Sequence, residues 1–281
     1  MIAAVAAALV ASSSDRFSSA PLAGPLDYAN ADGALYVQAA IAGWMLALLS
    51  RHVVTRIAWG AVAAGFTALP FIIHVAAAAW LAIVMPAIAV LPGLIARGKA
   101  PRWSVAGLGG LFLAALVATS FLGASLAPGG RDPVHRLAGD ALTGERLVLW
   151  HEAYLIMRAH PVTGVGPGRY RVVSPSARRD PDHRWAHHEF LQQGAEGGVV
   201  GLLLLAVLFL WALGRLWSAR PANAITALSA AAVAALGIHA TVDYVMHFPA
   251  IPIVGAALAG VGMATRDPQG GSNDVRDLRT P

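Results

Sequence analysis

Seven long apolar stretches constrain this chain more than any other feature. A helix needs about 20 apolar residues to cross the hydrocarbon core of a bilayer, and each stretch is too long and too uniformly apolar for a strand. The stretches are residues 34–50, 57–73, 75–95, 104–127, 197–217, 223–242 and 248–265. They predict an all-α polytopic membrane protein with about seven transmembrane helices. Pro70, Pro86 and Pro92 are expected to kink or end their helices, and the second and third stretches are alternatively one broken hairpin.

Composition excludes several other classes of protein. Apolar residues make up 57% of the 281 residues and charged residues only 12%, against about 25% charged in soluble domains. One soluble domain could not cover its surface with so few polar side chains, and a disordered chain needs low hydrophobicity. The absence of cysteine excludes disulfides, cysteine-ligated zinc and cysteine catalysis.

The distribution of basic residues predicts the topology. One set of short links carries seven basic and no acidic residues, namely Arg51, Arg56, Arg97, Lys99, Arg102, Arg215 and Arg220. The links on the opposite side, near His74 and at 243–247, carry no Arg or Lys. The positive-inside rule therefore predicts that the basic links and the polar tail 266–281 are cytoplasmic and that the loop 128–196 is extracytoplasmic. The same rule accounts for the net charge of +5, which is no argument for a nucleic-acid partner.

The first 33 residues do not fit a standard span. Residues 1–11 are apolar but too short to cross a bilayer, and they lack the basic region of a signal peptide. Residues 12–30 are polar, rich in Pro and Gly, and expected outside. Two interpretations remain open, a helix remnant left by a truncated or mis-started gene and a short leader.

The loop 128–196 concentrates the chemistry of the chain. It holds nine Arg, no Lys, eight acidic residues and six of the ten His. Arginine offers a fixed fork of donors for phosphate, which suits the head group of an anionic lipid such as a prenyl pyrophosphate. The alternative is a GC-rich codon bias. Residues 143–159 predict a helix with Thr143 as N-cap and with Arg146, Trp150 and Ala153 on one stripe.

Two further segments of the loop supply candidate binding residues. Gly164, Gly166 and Gly168 permit a tight path whose amides could face an anion, although a plain turn is the simpler interpretation. If residues 184–191 are helical, Arg184 shares a face with His187 and with His188. His187 is then a candidate general base for a sugar hydroxyl, and the alternative is an interfacial histidine that only makes hydrogen bonds.

The end of the sixth stretch carries His239 and Asp243, four residues apart. Ionisable groups at the edge of a span are candidates for a functional site. The structural alternative for Asp243 is an aspartate that pins helices by pairing with an arginine of the loop. No metal site is predicted, because Asp180 and Asp182 are separated by proline and because His183, His187 and His188 lack a further ligand at a convincing spacing.

Taken together, these motifs resemble the bacterial O-antigen ligase and polymerase superfamily. The resemblance rests on residues 144–150, on His160-Pro161, on 164–168, on Ala186-His187-His188-Glu-Phe-Leu191, on 239–250 and, upstream, on 24–31. It implies an inner-membrane enzyme that moves a glycan from undecaprenyl pyrophosphate to a glycolipid such as a lipid A core, to a growing glycan or to a protein. It implies no metal and no cofactor.

The same resemblance assigns roles to residues. His187 matches the loop histidine, the candidate base, and Arg146 and Arg169 match basic positions near the expected pyrophosphate, with Arg184 as a further cation. The family usually has Asn where His188 stands, and it has about ten to twelve helices rather than seven. A polymerase with the same loop, a truncated non-catalytic scaffold and a transporter of the lipid carrier are the alternative functions.

Overall fold

The computed structural model describes residues 24–95, 101–125, 144–180, 183–219 and 223–264. The chain is all-helical in these ranges. The α-helices are α1 (Ala29–Leu49), α2 (Val53–Ile72), α3 (Ala76–Ile95), α4 (Pro101–Ser125), α5 (Gly144–Ala159), α6 (Tyr170–Val173), α7 (Pro175–Arg179), α8 (Glu189–Trp217), α9 (Ala224–Ala240) and α10 (Ala250–Ala264), with a 3₁₀ helix at Val245–His247 before α10. The expectations for the N-terminal stub, for the tail and for Thr143 lie outside the described residues.

Each of the seven predicted stretches contains a helix. Five helices, α1 to α4 and α8, are long and apolar enough to cross a membrane. The helices of the sixth and seventh stretches, α9 and α10, have only 17 and 15 residues. A multi-pass membrane protein is therefore supported, whereas the count of seven spans stays a prediction.

The prolines act differently from one another. Helix α2 ends at Ile72, two residues after Pro70, and the positive φ of His74 separates α2 from α3 as two distinct helices. Helix α3 continues through both Pro86 and Pro92. Apolar helices tolerate proline where neighbouring groups satisfy the freed backbone carbonyls.

Helix α9 is the centre of the bundle. It contacts α1, α3, α4, α8 and α10, and nearly all of its residues are buried. Its Ala-rich sequence lets neighbouring backbones approach closely, as is typical of packed membrane helices. Ser229 on α9 donates a hydrogen bond of 2.7 Å to the carbonyl of Leu258 on α10, so a polar contact supplements this packing.

The outer faces of the bundle are apolar. On α8 the side chains of Leu203, Leu204, Val207 and Trp211 are each more than half exposed. An apolar surface of this kind would be costly in water and suits contact with lipid chains.

A small helical layer formed by α5, α6, α7 and the start of α8 covers one end of the bundle. Trp150 and Ala153 of α5 are fully buried, in agreement with the predicted stripe. Inside α8 the backbone breaks its helical path at Gly198, where φ is +64°. This break divides α8 into a segment within the layer and a long apolar segment.

Residues 184–188 are not helical, so the condition under which Arg184 would share a helix face with His187 and His188 is not met. Helix α8 begins at Glu189 because the ring of His188 accepts the amide of Leu191 and acts as its N-cap. His187 has a positive φ of 52°. Arg184 and His187 therefore do not share a helix face.

Candidate active site around Asp243

The carboxylate of Asp243 is the centre of a buried polar cluster. Asp243 follows α9 and its side chain is 1% exposed. The hydroxyl of Tyr28 donates to it at 2.8 Å, the amide of Asn30 also donates to it, and the backbone amide of Tyr244 donates at 2.7 Å. Arg146 and His187 contact the same carboxylate. Segments that are far apart in sequence thus meet on one anion.

Arg146 is held by Asp243 while still facing open space. Its Nη2 atom donates to Asp243 Oδ2 at 3.1 Å, and its side chain is 23% exposed. Helix α5 supplies this residue on the same stripe as the buried Trp150. A guanidinium carries five N–H donors, so the contact with Asp243 leaves donors for an anionic ligand.

His187 is oriented by contacts on three sides. Its Nδ1 atom lies 3.3 Å from Asp243 Oδ1, its carbonyl accepts the indole N–H of Trp150 at 3.0 Å, and its ring packs edge-to-face on Tyr244 with centroids 4.7 Å apart. A carboxylate beside Nδ1 favours the tautomer with the proton on that atom. The Nε2 atom is then the basic nitrogen.

The backbone of His187 is in a conformation that non-glycine residues seldom adopt. A left-handed φ costs an ordinary side chain about 1–2 kcal/mol. The hydrogen bond from Trp150 and the contact with Asp243 hold it there. Strained residues of this kind cluster at functional sites.

A cavity of about 420 Å³ opens beside these groups. It is lined by Tyr28, Glu145, Arg146, Leu149, His183, His187 and Tyr244. The structure thus brings Arg146 and His187 together on one cavity wall, with Asp243 behind them. The pairing of Asp243 with an arginine of the loop matches the structural alternative considered for it, and the open cavity adds a surface on which these groups can act.

The surroundings of Asp243 favour its charged form. Burial alone would raise the pKa of this carboxyl, but His187, Arg146 and His239 outweigh burial and lower it. The hydroxyl of Tyr28 keeps its proton, because burial and the charge of Asp243 raise its pKa. Asp243 is therefore a fixed anion, and Tyr28 is a permanent donor to it.

His188 and His239 do not line the cavity. His188 is completely buried, accepts the Leu191 amide with Nδ1 and places Nε2 3.0 Å from the hydroxyl of Thr119. Burial lowers the pKa of His188 to about 3, so the ring is neutral. His239 is also buried and lies next to a small void shared with Gln38 and Leu81. Both were predicted to bind substrate, and the structure gives them positions inside the packing.

The glycine segment is bound to protein acceptors rather than open to an anion. The amide of Gly164 donates to the His160 carbonyl, that of Gly166 to the Glu196 carbonyl, and that of Gly168 to the Glu196 carboxylate at 2.8 Å. All three glycines have positive φ. The plain-turn interpretation therefore fits, because the turn docks on α8 through Glu196.

Arg169 and Arg184 are exposed and are absent from the lining of the cavity as the described residues form it. The guanidinium carbon of Arg184 lies 5.8 Å from the ring centre of Trp185. Neither arginine joins Arg146 in this structure, so their predicted contact with a pyrophosphate gains no support from the geometry.

Sequence reasoning missed Tyr28, Asn30 and Tyr244 as parts of the site. They lie within segments that carry the resemblance, and each is a polar or aromatic residue next to an apolar stretch. That pattern alone does not show that position 28 meets position 243. Within the described ranges, no group of three or more His, Asp and Glu side chains is arranged to hold a metal ion.

A comparison of the sequence with models of protein families finds a match within the chain. The model of the family described as O-Antigen ligase matches residues 71–206, and no curated protein matches the chain. The match confirms the resemblance seen in the loop motifs. It includes Arg146 and His187, whereas Tyr28, Asn30 and Asp243 lie outside the matched range.

Proposed function

We propose, from the premise that residues 71–206 belong to the O-antigen ligase family, that this chain is a membrane glycan transferase. In this proposal it moves a glycan from undecaprenyl pyrophosphate to a hydroxyl of an acceptor glycolipid or glycan at the outer face of the bacterial inner membrane. The observation that carries the proposal is the joint contact of Arg146 and His187 with Asp243 beside an open cavity.

The reaction needs a base and a group that stabilises the leaving anion. The acceptor hydroxyl attacks the anomeric carbon of the donor sugar and loses its proton to Nε2 of His187. The bond from that carbon to the pyrophosphate oxygen breaks, and the leaving pyrophosphate gathers negative charge beside the free donors of Arg146. The acceptor oxygen thus gains the bond to the anomeric carbon and the lipid pyrophosphate leaves with the electron pair. The proton on Nε2 of His187 then passes to the departing pyrophosphate or to water, which restores the base.

Asp243 supports both partners. As an anion beside Nδ1 it orients the imidazole and stabilises the imidazolium that forms when Nε2 takes a proton, as a carboxylate does in other acid–base pairs. It also holds the Arg146 side chain at the cavity wall. Tyr28 and Asn30 keep the carboxylate in place.

An apolar groove supports a lipid-linked donor. A space of about 330 Å³ lies between α8, α9 and α10 and is lined only by apolar residues, including Met246 of the 3₁₀ helix. Tyr244, two residues earlier, lines the polar cavity. A prenyl chain in the groove would thus place its head group near the cavity.

A transfer assay in membranes tests the function. The chain is expressed with a prenyl-pyrophosphate-linked glycan and a lipid A core acceptor, and the products are separated on a gel. We expect a glycan ladder from the wild type, its loss in His187→Ala and Arg146→Ala, and its retention in Arg178→Ala, which removes an exposed arginine outside the cavity.

The acceptor separates ligase from polymerase activity. The same groups serve either acceptor, so a ladder on the lipid A core indicates a ligase, and extension of the lipid-linked glycan alone indicates a polymerase. A ladder that survives both substitutions at equal protein level overturns the assignment of the site.

A further inference from the structure

A second carboxylate–histidine pair lies next to the site and takes no part in the mechanism above. His247 Nδ1 is 3.1 Å from Glu189 Oε2, and the Glu189 side chain is 5% exposed. Gln193 donates to the other oxygen of Glu189 at 3.1 Å. A carboxylate so deeply buried needs a cationic or donating partner, and His247 is the ionisable group that faces it.

The position of His247 is set by the turn that also supplies the site. Asp243 and Tyr244 immediately precede the 3₁₀ helix Val245–His247. The ring of Tyr244 packs edge-to-face on both histidines, 4.7 Å from His187 and 5.9 Å from His247. Tyr244 therefore separates two imidazoles, each held by its own carboxylate.

This turn also joins two spaces of different character. Tyr244 lines the polar cavity, and Met246 lines the apolar groove. His247 follows Met246, and its side chain is 26% exposed. A lipid whose chain fills the groove and whose head group fills the cavity has to run past this turn. The phosphate attached to its chain would then lie beside the turn.

We propose that His247, held by Glu189, binds the phosphate next to the prenyl chain of the lipid-linked donor, while Arg146 binds the phosphate next to the sugar. The inference rests on the proposed function. In this proposal each phosphate of the pyrophosphate contacts one cationic side chain. Glu189 is a positioning residue, because it holds the His247 imidazole. Glu189 favours the cationic form of His247 because its charge outweighs burial and raises the pKa of the imidazole.

Three lipids that differ only in their head group test this division. The full-length protein in nanodiscs is titrated with geranylgeraniol, geranylgeranyl monophosphate and geranylgeranyl diphosphate. We expect His247→Ala to weaken binding of both phosphorylated lipids about tenfold, as for loss of a charge-assisted hydrogen bond, and to leave geranylgeraniol unaffected. Arg146→Ala should weaken only the diphosphate. His247→Lys should restore binding of the monophosphate.

The neutral lipid separates a binding role from a structural one. If His247 only stabilised the fold, its loss would weaken binding of all three lipids. His52→Ala is the matched control, because His52 is exposed at the start of α2, and it should change none of the affinities.

The outcomes also separate the inference from the proposed function. Equal monophosphate affinity in the wild type and in His247→Ala, with the diphosphate weakened in Arg146→Ala, overturns this inference and leaves the lipid-donor function standing. A wild type that binds none of the three lipids overturns both.

Discussion

At the scale of single residues, His188 is the N-cap of α8, a role that a smaller polar side chain usually has. Its Nδ1 accepts the Leu191 amide at the start of α8, the position at which Asn, Asp, Ser and Thr are the usual N-caps. The superfamily that the loop resembles usually has Asn there. The departure from the family pattern therefore has a physical explanation, because the imidazole nitrogen replaces the amide oxygen as the acceptor.

Titration distinguishes the histidine cap from an asparagine cap. The pKa of His188 is about 3 in the fold, against an ordinary value of 6.5. Below pH 6.5 the unfolded chain binds a proton that the folded chain does not. Stability should therefore fall as the pH drops from about 6.5 towards 3, by at most about 1.4 kcal/mol per pH unit from this group.

Thermal unfolding in detergent between pH 5 and 7.5 measures this effect. His188→Asn should keep the stability of the wild type at pH 7.5 and lose less of it on acidification. His188→Ala lacks the acceptor and also leaves a cavity in place of the buried ring, so it should be less stable at pH 7.5 by more than the roughly 1 kcal/mol of a lost cap. Identical acid sensitivity in the wild type and in His188→Asn would contradict the burial of a neutral ring.

At the scale of elements, the break in α8 shows why the loop docks where it does. Gly198 has a φ of +64°, and the next amide, that of Val199, donates to the Pro161 carbonyl at 2.7 Å. The carbonyls of Ala195 and Glu196 accept from Val165 and Gly166. Backbone groups around the break in α8 thus form hydrogen bonds with the segment that follows α5. The apolar periodicity of the sequence does not predict such a break.

Adjacent glycines allow a matched test of this junction. A Cβ at Gly198 would lie 2.3 Å from the Val162 carbonyl oxygen, whereas a Cβ at Gly197 would meet nothing within 4 Å. Gly198→Ala should therefore destabilise the fold by several kcal/mol and expose residues 160–168 to protease. Gly197→Ala should be neutral or stabilising by up to about 1 kcal/mol. Equal melting temperatures for the two variants would show that the junction does not hold the loop.

At the scale of the whole molecule, the sequence predicts the apolar helices better than it predicts the tertiary contacts between them. Long apolar runs predict helices from local composition, and all seven stretches contain one. The loop motifs also predicted roles for Arg146 and His187. The structure brings the two side chains together on Asp243, and their roles stay predictions. Tyr28 and Asp243 were not paired, because contact between positions 215 residues apart depends on tertiary packing. His188 and the three glycines were predicted to bind substrate. In the structure His188 is a buried N-cap and the glycines form a turn that packs on α8, and neither role gives a distinct local pattern in the sequence.

The topology prediction belongs to this scale, and the chain is well suited to test it because it contains no cysteine. A cysteine at Arg178, exposed on α7, should react with a membrane-impermeant maleimide in intact spheroplasts. A cysteine at Thr55, exposed at the start of α2, should react only after permeabilisation. The unsubstituted chain is the blank, and the reverse labelling pattern would invert the proposed orientation.

The order in which the chain is made gives the Asp243 cluster a further consequence. Tyr28 is synthesised 215 residues before Asp243, and at roughly 5–20 residues per second that interval lasts on the order of 10–40 s. Asn30, Arg146 and His187 also precede their shared partner. A nascent chain stopped short of Asp243 thus lacks the carboxylate that all four of these side chains contact. Assembly of the Asp243 cluster therefore requires synthesis of the chain at least as far as Asp243.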